Sequence, residues 1–126
     1  MEKNSIKVLV SDDSILVRKK LKDSLMSMGI SEIYEATDGQ EAIDFYKKYS
    51  PDVIFMDIVM PVKNGLEALI EIMNIDAHAK VVIASSTVTK SHLKEAVKAG
   101  AYEFIQKPIE DDKLKQIIEN VIKGGR

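Results

Sequence analysis

Two features of the chain and one general rule of chain connection predict an α/β fold, a doubly wound five-stranded parallel sheet with about five helices. Apolar, strand-like runs and stretches of helical spacing alternate about five times with short connections, the pattern of a parallel sheet covered on both faces. The run Val53-Ile54-Phe55-Met56 is apolar without a break, as in a strand buried on both sides. Crossovers between parallel strands are right-handed, and double winding is their natural outcome.

The elements follow in order. Ile6 to Val10 is the first strand, and Ser11-Asp12-Asp13-Ser14 follows it at once. A helix then runs to Met28, with Leu21, Leu25 and Met28 on one stripe and Gly29 as its stop. Glu32 to Ala36 is a short strand. Asp38-Gly39-Gln40-Glu41 has the spacing of a capping box, and the helical spacing of Ala42, Tyr46 and Tyr49 argues for it over a hairpin at Asp38-Gly39. The third strand, Val53 to Met56, ends on Asp57, and Pro61 and Asn64-Gly65 turn the chain. Asn64-Gly65-Leu66-Glu67 caps a third helix carrying Leu66, Leu69, Ile70 and Met73. Lys80 to Ser85 is a fourth strand ending in hydroxyls. After a Ser/Thr-rich loop, Leu93, Ala96 and Val97 carry a fourth helix up to Gly100. Tyr102 to Gln106 is the fifth strand, ended by Lys107-Pro108. Ile109, Leu114, Ile117, Ile118, Val121 and Ile122 mark an amphipathic last helix, and Gly124-Gly125-Arg126 reads as a frayed end or the start of a linker.

The bulk properties narrow the class of protein. A chain of 126 residues is read as one domain, residues 1–126, large enough for a real core. A net charge of −2 creates no field that would recruit nucleic acid or an anionic membrane. The absence of cysteine rules out disulfide and thiolate chemistry. Met1 to Ser5 lacks the apolar core of a signal peptide, and no apolar run approaches membrane-spanning length. The expectation is a soluble cytoplasmic protein.

The chemistry gathers at the strand ends. In an open α/β sheet these ends form the ligand crevice, and in a doubly wound sheet the first strand neighbours the third. Asp12-Asp13, Asp57, Ser85 and Lys107 then share one edge. Taken singly, Asp57 reads as a polar strand terminator, Asp12-Asp13 as a turn and helix cap, Ser85 as a loop hydroxyl and Lys107 as a solvated charge. Together they place three carboxylates, a hydroxyl and an ammonium in one crevice. Carboxylates this close repel one another, and a hard divalent cation relieves the repulsion. Oxygen-only ligands point to Mg²⁺ rather than Zn²⁺. Such a site accepts a phosphoryl group, with Asp57 as the nucleophile, Lys107 pairing with the transferred group and Ser85 hydrogen-bonding to it.

With these residues in place the chain resembles, over essentially its whole length, the receiver domain of bacterial two-component response regulators, the CheY-like fold. The matching residues are Asp12-Asp13, Asp57 with Met60-Pro61 and Gly65 downstream, Ser85 and Lys107-Pro108. The resemblance implies strand order 2-1-3-4-5. It implies that Asp57 accepts phosphate from the phosphohistidine of a sensor histidine kinase or phosphotransfer protein. It also implies Mg²⁺ held by Asp12, Asp13, Asp57 and the Val59 backbone carbonyl, and a cis Lys107-Pro108 bond. Ser85 takes the place of the switch hydroxyl and Phe104 that of the switch aromatic. Phosphorylation would reshape the face of the fourth helix, fifth strand and fifth helix for a protein target. Such a chain is a signalling switch rather than an enzyme, a monomer or weak dimer of chemotaxis or phosphorelay type; a free-standing regulator is the expectation, and a receiver cut from a longer regulator the alternative. Ser85-Ser86 replaces the family's more usual Thr-Ala, and Val59 is apolar where a polar side chain helps orient water.

Rival readings fit less well. A flavodoxin-like cofactor binder needs a phosphate-cradling loop after the first strand, where this chain has two acids. An aspartate-nucleophile phosphatase pairs its nucleophile with an Asp two residues on, where Val59 stands. A P-loop enzyme is excluded by the missing Gly-Lys-Ser/Thr segment. A receiver used only as an unphosphorylated interaction module remains an alternative. His78 and His92 lack metal-ligand spacing and are expected in a loop and on the solvent side of the fourth helix. Lys90, Lys94 and Lys98 form a helical basic stripe, read as a solvated face or as part of a partner surface beside Glu110-Asp111-Asp112.

Overall fold

The computed structural model describes residues 5–124. The strands are β1 (Lys7–Ser11), β2 (Glu32–Ala36), β3 (Val53–Met56), β4 (Val81–Ser85) and β5 (Glu103–Gln106). The helices are α1 (Ile15–Ser27), α2 (Gly39–Tyr49), α3 (Gly65–Ile75), α4 (Lys90–Ala99) and α5 (Asp111–Ile122). The strands form one parallel sheet in the order β2-β1-β3-β4-β5, as expected. Gly125 and Arg126, expected at a frayed end, lie outside the described residues.

Strand alternation divides the core in two. Leu9, Ile54, Met56 and Ile83 face α2, α3 and α4, meeting Ile43, Leu69, Ile72 and Ala96. Val8, Val10, Val53, Phe55 and Val82 face α1 and α5, meeting Leu25, Leu114, Ile117, Ile118 and Val121. All four residues of β3 are buried, which accounts for its uninterrupted apolar run.

β1 ends one residue later than the sequence suggested. Ser11 joins the ladder opposite Ala36 and Met56, and its carbonyl accepts the Asp57 N–H at 2.9 Å. The caps locate the helix starts. Asn64 and Glu67 form the expected capping box. At α2 only half the box is strict: Asp38 accepts the Glu41 N–H at 2.7 Å, but Glu41 accepts the Thr37 N–H rather than that of Asp38. On α4 the apolar stripe is mostly uncovered. Ala96 is buried, whereas Leu93 and Val97 are 40% and 66% exposed. His92 departs from expectation too: it is half-buried, with Nδ1 enclosed and unpartnered among the described residues.

Candidate functional site

The end of β1 delivers Asp12 almost fully buried and Asp13 exposed. The Asp12 side chain caps its own turn, Oδ1 accepting the Ser14 N–H at 2.9 Å. Its Oδ2 accepts from Lys107 Nζ at 2.5 Å. Asp57, 9% exposed, ends β3 on the neighbouring strand. Its Oδ1 accepts the Ile58 N–H at 2.9 Å and lies 3.3 Å from Lys107 Nζ. Among the described residues no hydrogen bond or ion pair engages Asp57 Oδ2. Asp12, Asp13 and Asp57 each bring one carboxylate oxygen within 4.8 Å of the others.

Lys107 arrives from the opposite side of the crevice. Its amide donates to the Ser85 carbonyl at 2.8 Å, which continues the β4–β5 ladder, and the following bond to Pro108 is cis. Two exposed apolar residues, Val59 and Val62, stand on the β3–α3 loop at the rim.

Burial pushes the Asp57 carboxyl above its usual range. Lys107 pulls it down, Asp12 adds to the rise, and the net shift is upward. Burial would lower the Lys107 ammonium, but the hydrogen bond and charge of Asp12, then those of Asp57, outweigh it and raise the group. The crevice is therefore short of positive charge: one ammonium faces three carboxylates. The donor set fits a hard divalent cation, being all oxygen and partly open to solvent through Asp13.

Ser85 stands at the end of β4, but its hydroxyl is turned toward its own loop. Oγ donates to the Thr87 carbonyl at 2.8 Å and accepts the Thr87 N–H at 3.2 Å. Ser86 lines the ≈ 400 Å³ crevice together with Asp12, Asp57 and Lys107. Spacing to Lys107 favours Ser85 of the two successive hydroxyls, but spacing does not say which way a hydroxyl turns. Phe104, on β5 opposite Ile83, is half-buried against the α2–α4 core. The sequence also gave no notice of Arg18, whose contact with the Asp12 carbonyl depends on how α1 folds back over its own turn.

The family model described as "Response regulator receiver domain" matches residues 8–119. This chain belongs to the response regulator receiver family. The receiver is 40% identical over 117 residues to the chemotaxis protein CheY of Thermotoga maritima, covering 93% of this chain and 98% of that one. It is 37% identical over 116 residues to CheY of Bacillus subtilis, covering 92% and 97%. A crystal structure of a CheX–CheY–BeF₃–Mg²⁺ complex from Borrelia burgdorferi contains a chain that matches with TM-score 0.86 and 34% identity, over 93% of this receiver and 89% of that chain. The receiver family binds Mg²⁺ through an acidic pocket, which is the place of the Asp12, Asp13 and Asp57 cluster here. No helix among the described residues is long and apolar enough to cross a membrane.

Proposed function

We propose that this chain, as one receiver domain over residues 1–126, takes a phosphoryl group onto Asp57 from the phosphohistidine of a sensor histidine kinase or phosphotransfer protein. The supporting observation is the position of Asp57: a nearly buried carboxylate at a strand end, beside one ammonium and two further acids. Asp12, Asp13, Asp57 and the Val59 backbone carbonyl are the proposed Mg²⁺ ligands. The cation supplies charge compensation for the phosphoryl oxygens.

Asp57 Oδ2 forms the new P–O bond as the P–N bond to the donor imidazole breaks, and the imidazole leaves with a proton. Lys107 lies close enough to both Asp12 and Asp57 to pair with the transferred group. Ser85 then gives up its bond to the Thr87 carbonyl for a phosphoryl oxygen, which draws the β4–α4 loop inward. Phe104 follows into the space behind that loop. The output is a change in the face of α4, β5 and α5. There the uncovered Val88, Leu93 and Val97 lie among Lys90, Lys94 and Lys98, which suits a protein target with apolar and acidic side chains. The similarity to chemotaxis CheY proteins supports a role in chemotaxis or phosphorelay signalling; the proposed switch works in the cytoplasm as a monomer or weak dimer, without direct nucleic-acid binding.

Intact mass after incubation with a small-molecule phosphodonor tests the reading. One phosphoryl group per chain is expected with Mg²⁺ and none with chelator. No gain under any donor would leave an interaction module with receiver architecture.

The lifetime of the acyl phosphate has its own handle in Val59. Its side chain is 73% exposed beside Asp57 and offers no group to orient an attacking water. Val59→Asn supplies such a group and is expected to shorten the lifetime about tenfold, less than the ~10²–10⁴-fold of a side chain that also transfers the proton, because an amide only orients the water. An unchanged decay rate, followed by mass after donor removal, counts against this role for position 59.

A further inference from the structure

Arg18, on the second turn of α1, reaches back to the turn from which the helix springs. Its side chain is only 11% exposed. Nη1 donates to the Asp12 carbonyl at 2.7 Å, and Nε donates to Glu35 Oε1 at 3.2 Å. Glu35 lies on β2, next to β1, and its other oxygen meets Lys22 Nζ at 3.5 Å. One guanidinium fork therefore ties the loop after β1 to the neighbouring strand.

Every polar group of Asp12 is held. Its N–H donates to the Ala36 carbonyl at 3.0 Å, Oδ1 accepts from Ser14, Oδ2 accepts from Lys107, and the carbonyl accepts from Arg18. The carbonyl contact has the longest reach. The peptide joining Asp12 to Asp13 is planar, so fixing its oxygen also fixes the direction in which Asp13 leaves. The Asp13 carboxylate is exposed and has no hydrogen bond or ion pair among the described residues. Its approach to Asp12 and Asp57 rests on the backbone.

We infer that Arg18 is a positioning residue for the divalent-cation site: by pinning the Asp12–Asp13 peptide it makes the two carboxylates converge with Asp57. This rests on the proposed use of the three acids to hold Mg²⁺. Charge alone predicts the opposite sign, because removing a cation near three carboxylates would tighten Mg²⁺ binding. Glu35 sits on the same guanidinium and offsets its charge, so the geometric effect is the larger of the two. Groups that orient metal ligands typically contribute about 10–100-fold in metal affinity.

The test is calorimetric titration of the unphosphorylated full chain with Mg²⁺, for wild type, Arg18→Met and Arg18→Lys. Circular dichroism confirms that each is folded. Arg18→Met, which keeps the apolar stem and removes the fork, is expected to weaken Mg²⁺ binding about tenfold. Arg18→Lys falls between, since one ammonium cannot serve both the carbonyl and Glu35, and it carries the test if the Met variant does not fold. In a phosphodonor assay the variants need more Mg²⁺ for half-maximal rate and approach the wild-type rate at saturation. Equal or tighter Mg²⁺ binding in the variants overturns the inference, as does a rate lowered by the same factor at every Mg²⁺ concentration. If wild type itself binds no Mg²⁺, the metal reading and this inference fall together. If wild type binds and Arg18→Met binds equally well, only this inference falls.

Discussion

Asp57→Asn is expected to abolish the phosphodonor-dependent gain in mass and, in metal-free buffer, to raise the melting temperature. The first effect follows from the loss of the nucleophilic carboxylate. The second follows from the cost of keeping that carboxylate charged. Burial raises its pKa, Asp12 raises it further, and Lys107 offsets only part. A carboxyl whose folded pKa lies above its unfolded value binds its proton more tightly in the native state. Its ionisation therefore costs stability as pH rises through the unfolded and then the folded value, and nothing is lost below both. At neutral pH the neutral, near-isosteric amide removes this cost, and Lys107 still has Asp12 at 2.5 Å. Relieving a site strained for function typically stabilises by ~1 kcal/mol, about 3–5 °C for a domain of this size. The difference between variant and wild type should shrink as pH falls through the folded and then the unfolded pKa, because the carboxyl is then protonated in both states. It should also shrink when Mg²⁺ is added, because the metal stabilises wild type by mass action. Thermal melts across pH in chelator read the effect, and an Asn variant melting below wild type at pH 8 contradicts this account.

What the sequence carried and what it hid have physical reasons. β3 was legible because a strand buried on both faces needs a run without polar residues, and Asp57 stands where that run stops. The site acids were legible because a parallel sheet brings its strand ends to one edge whatever the side-chain detail. The capping box at Asn64 was legible because it is local. The orientation of Ser85 was not, since Ser85, Ser86 and Thr87 offer interchangeable hydroxyls and a two-residue turn to Thr87 decides among them. Helical spacing on α4 identified an apolar stripe but could not say that only Ala96 is covered, because periodicity reports which residues share a face and not what packs there. Arg18 was hidden because its two partners lie on different elements, and only the packing of α1 beside β2 brings them together.

Gly65→Ala is expected to cost about 2–4 kcal/mol of stability and to slow phosphorylation about 10–100-fold, although helix propensity alone predicts a gain of about 1 kcal/mol. Gly65 is the first residue of α3, and its N–H donates to the Ile58 carbonyl at 2.8 Å. A Cβ there would lie 2.0 Å from the Asp57 carbonyl oxygen and 3.0 Å from the Ile58 Cα. Both obstacles are backbone, so no rotamer change relieves the clash. Either α3 shifts away from the sheet, or the peptide carrying Asp57 turns. The second route moves the proposed phosphoacceptor itself, and a displacement of about 1 Å at a reacting group costs about 100-fold in rate. The same loop is held at its other end by Gly39, where a Cβ would meet the Lys63 carbonyl oxygen at 2.2 Å. With both ends closely packed, the loop has little room to absorb a methyl group. Thermal unfolding and the Mg²⁺-dependent phosphorylation rate separate the two routes: a lower melting temperature with normal phosphorylation means that α3 gave way, and loss of both means that Asp57 moved. Wild-type values for both would show that the β3–α3 loop is compliant, and that the narrow gap between Gly65 and Asp57 does not hold the Asp57 carboxylate in place.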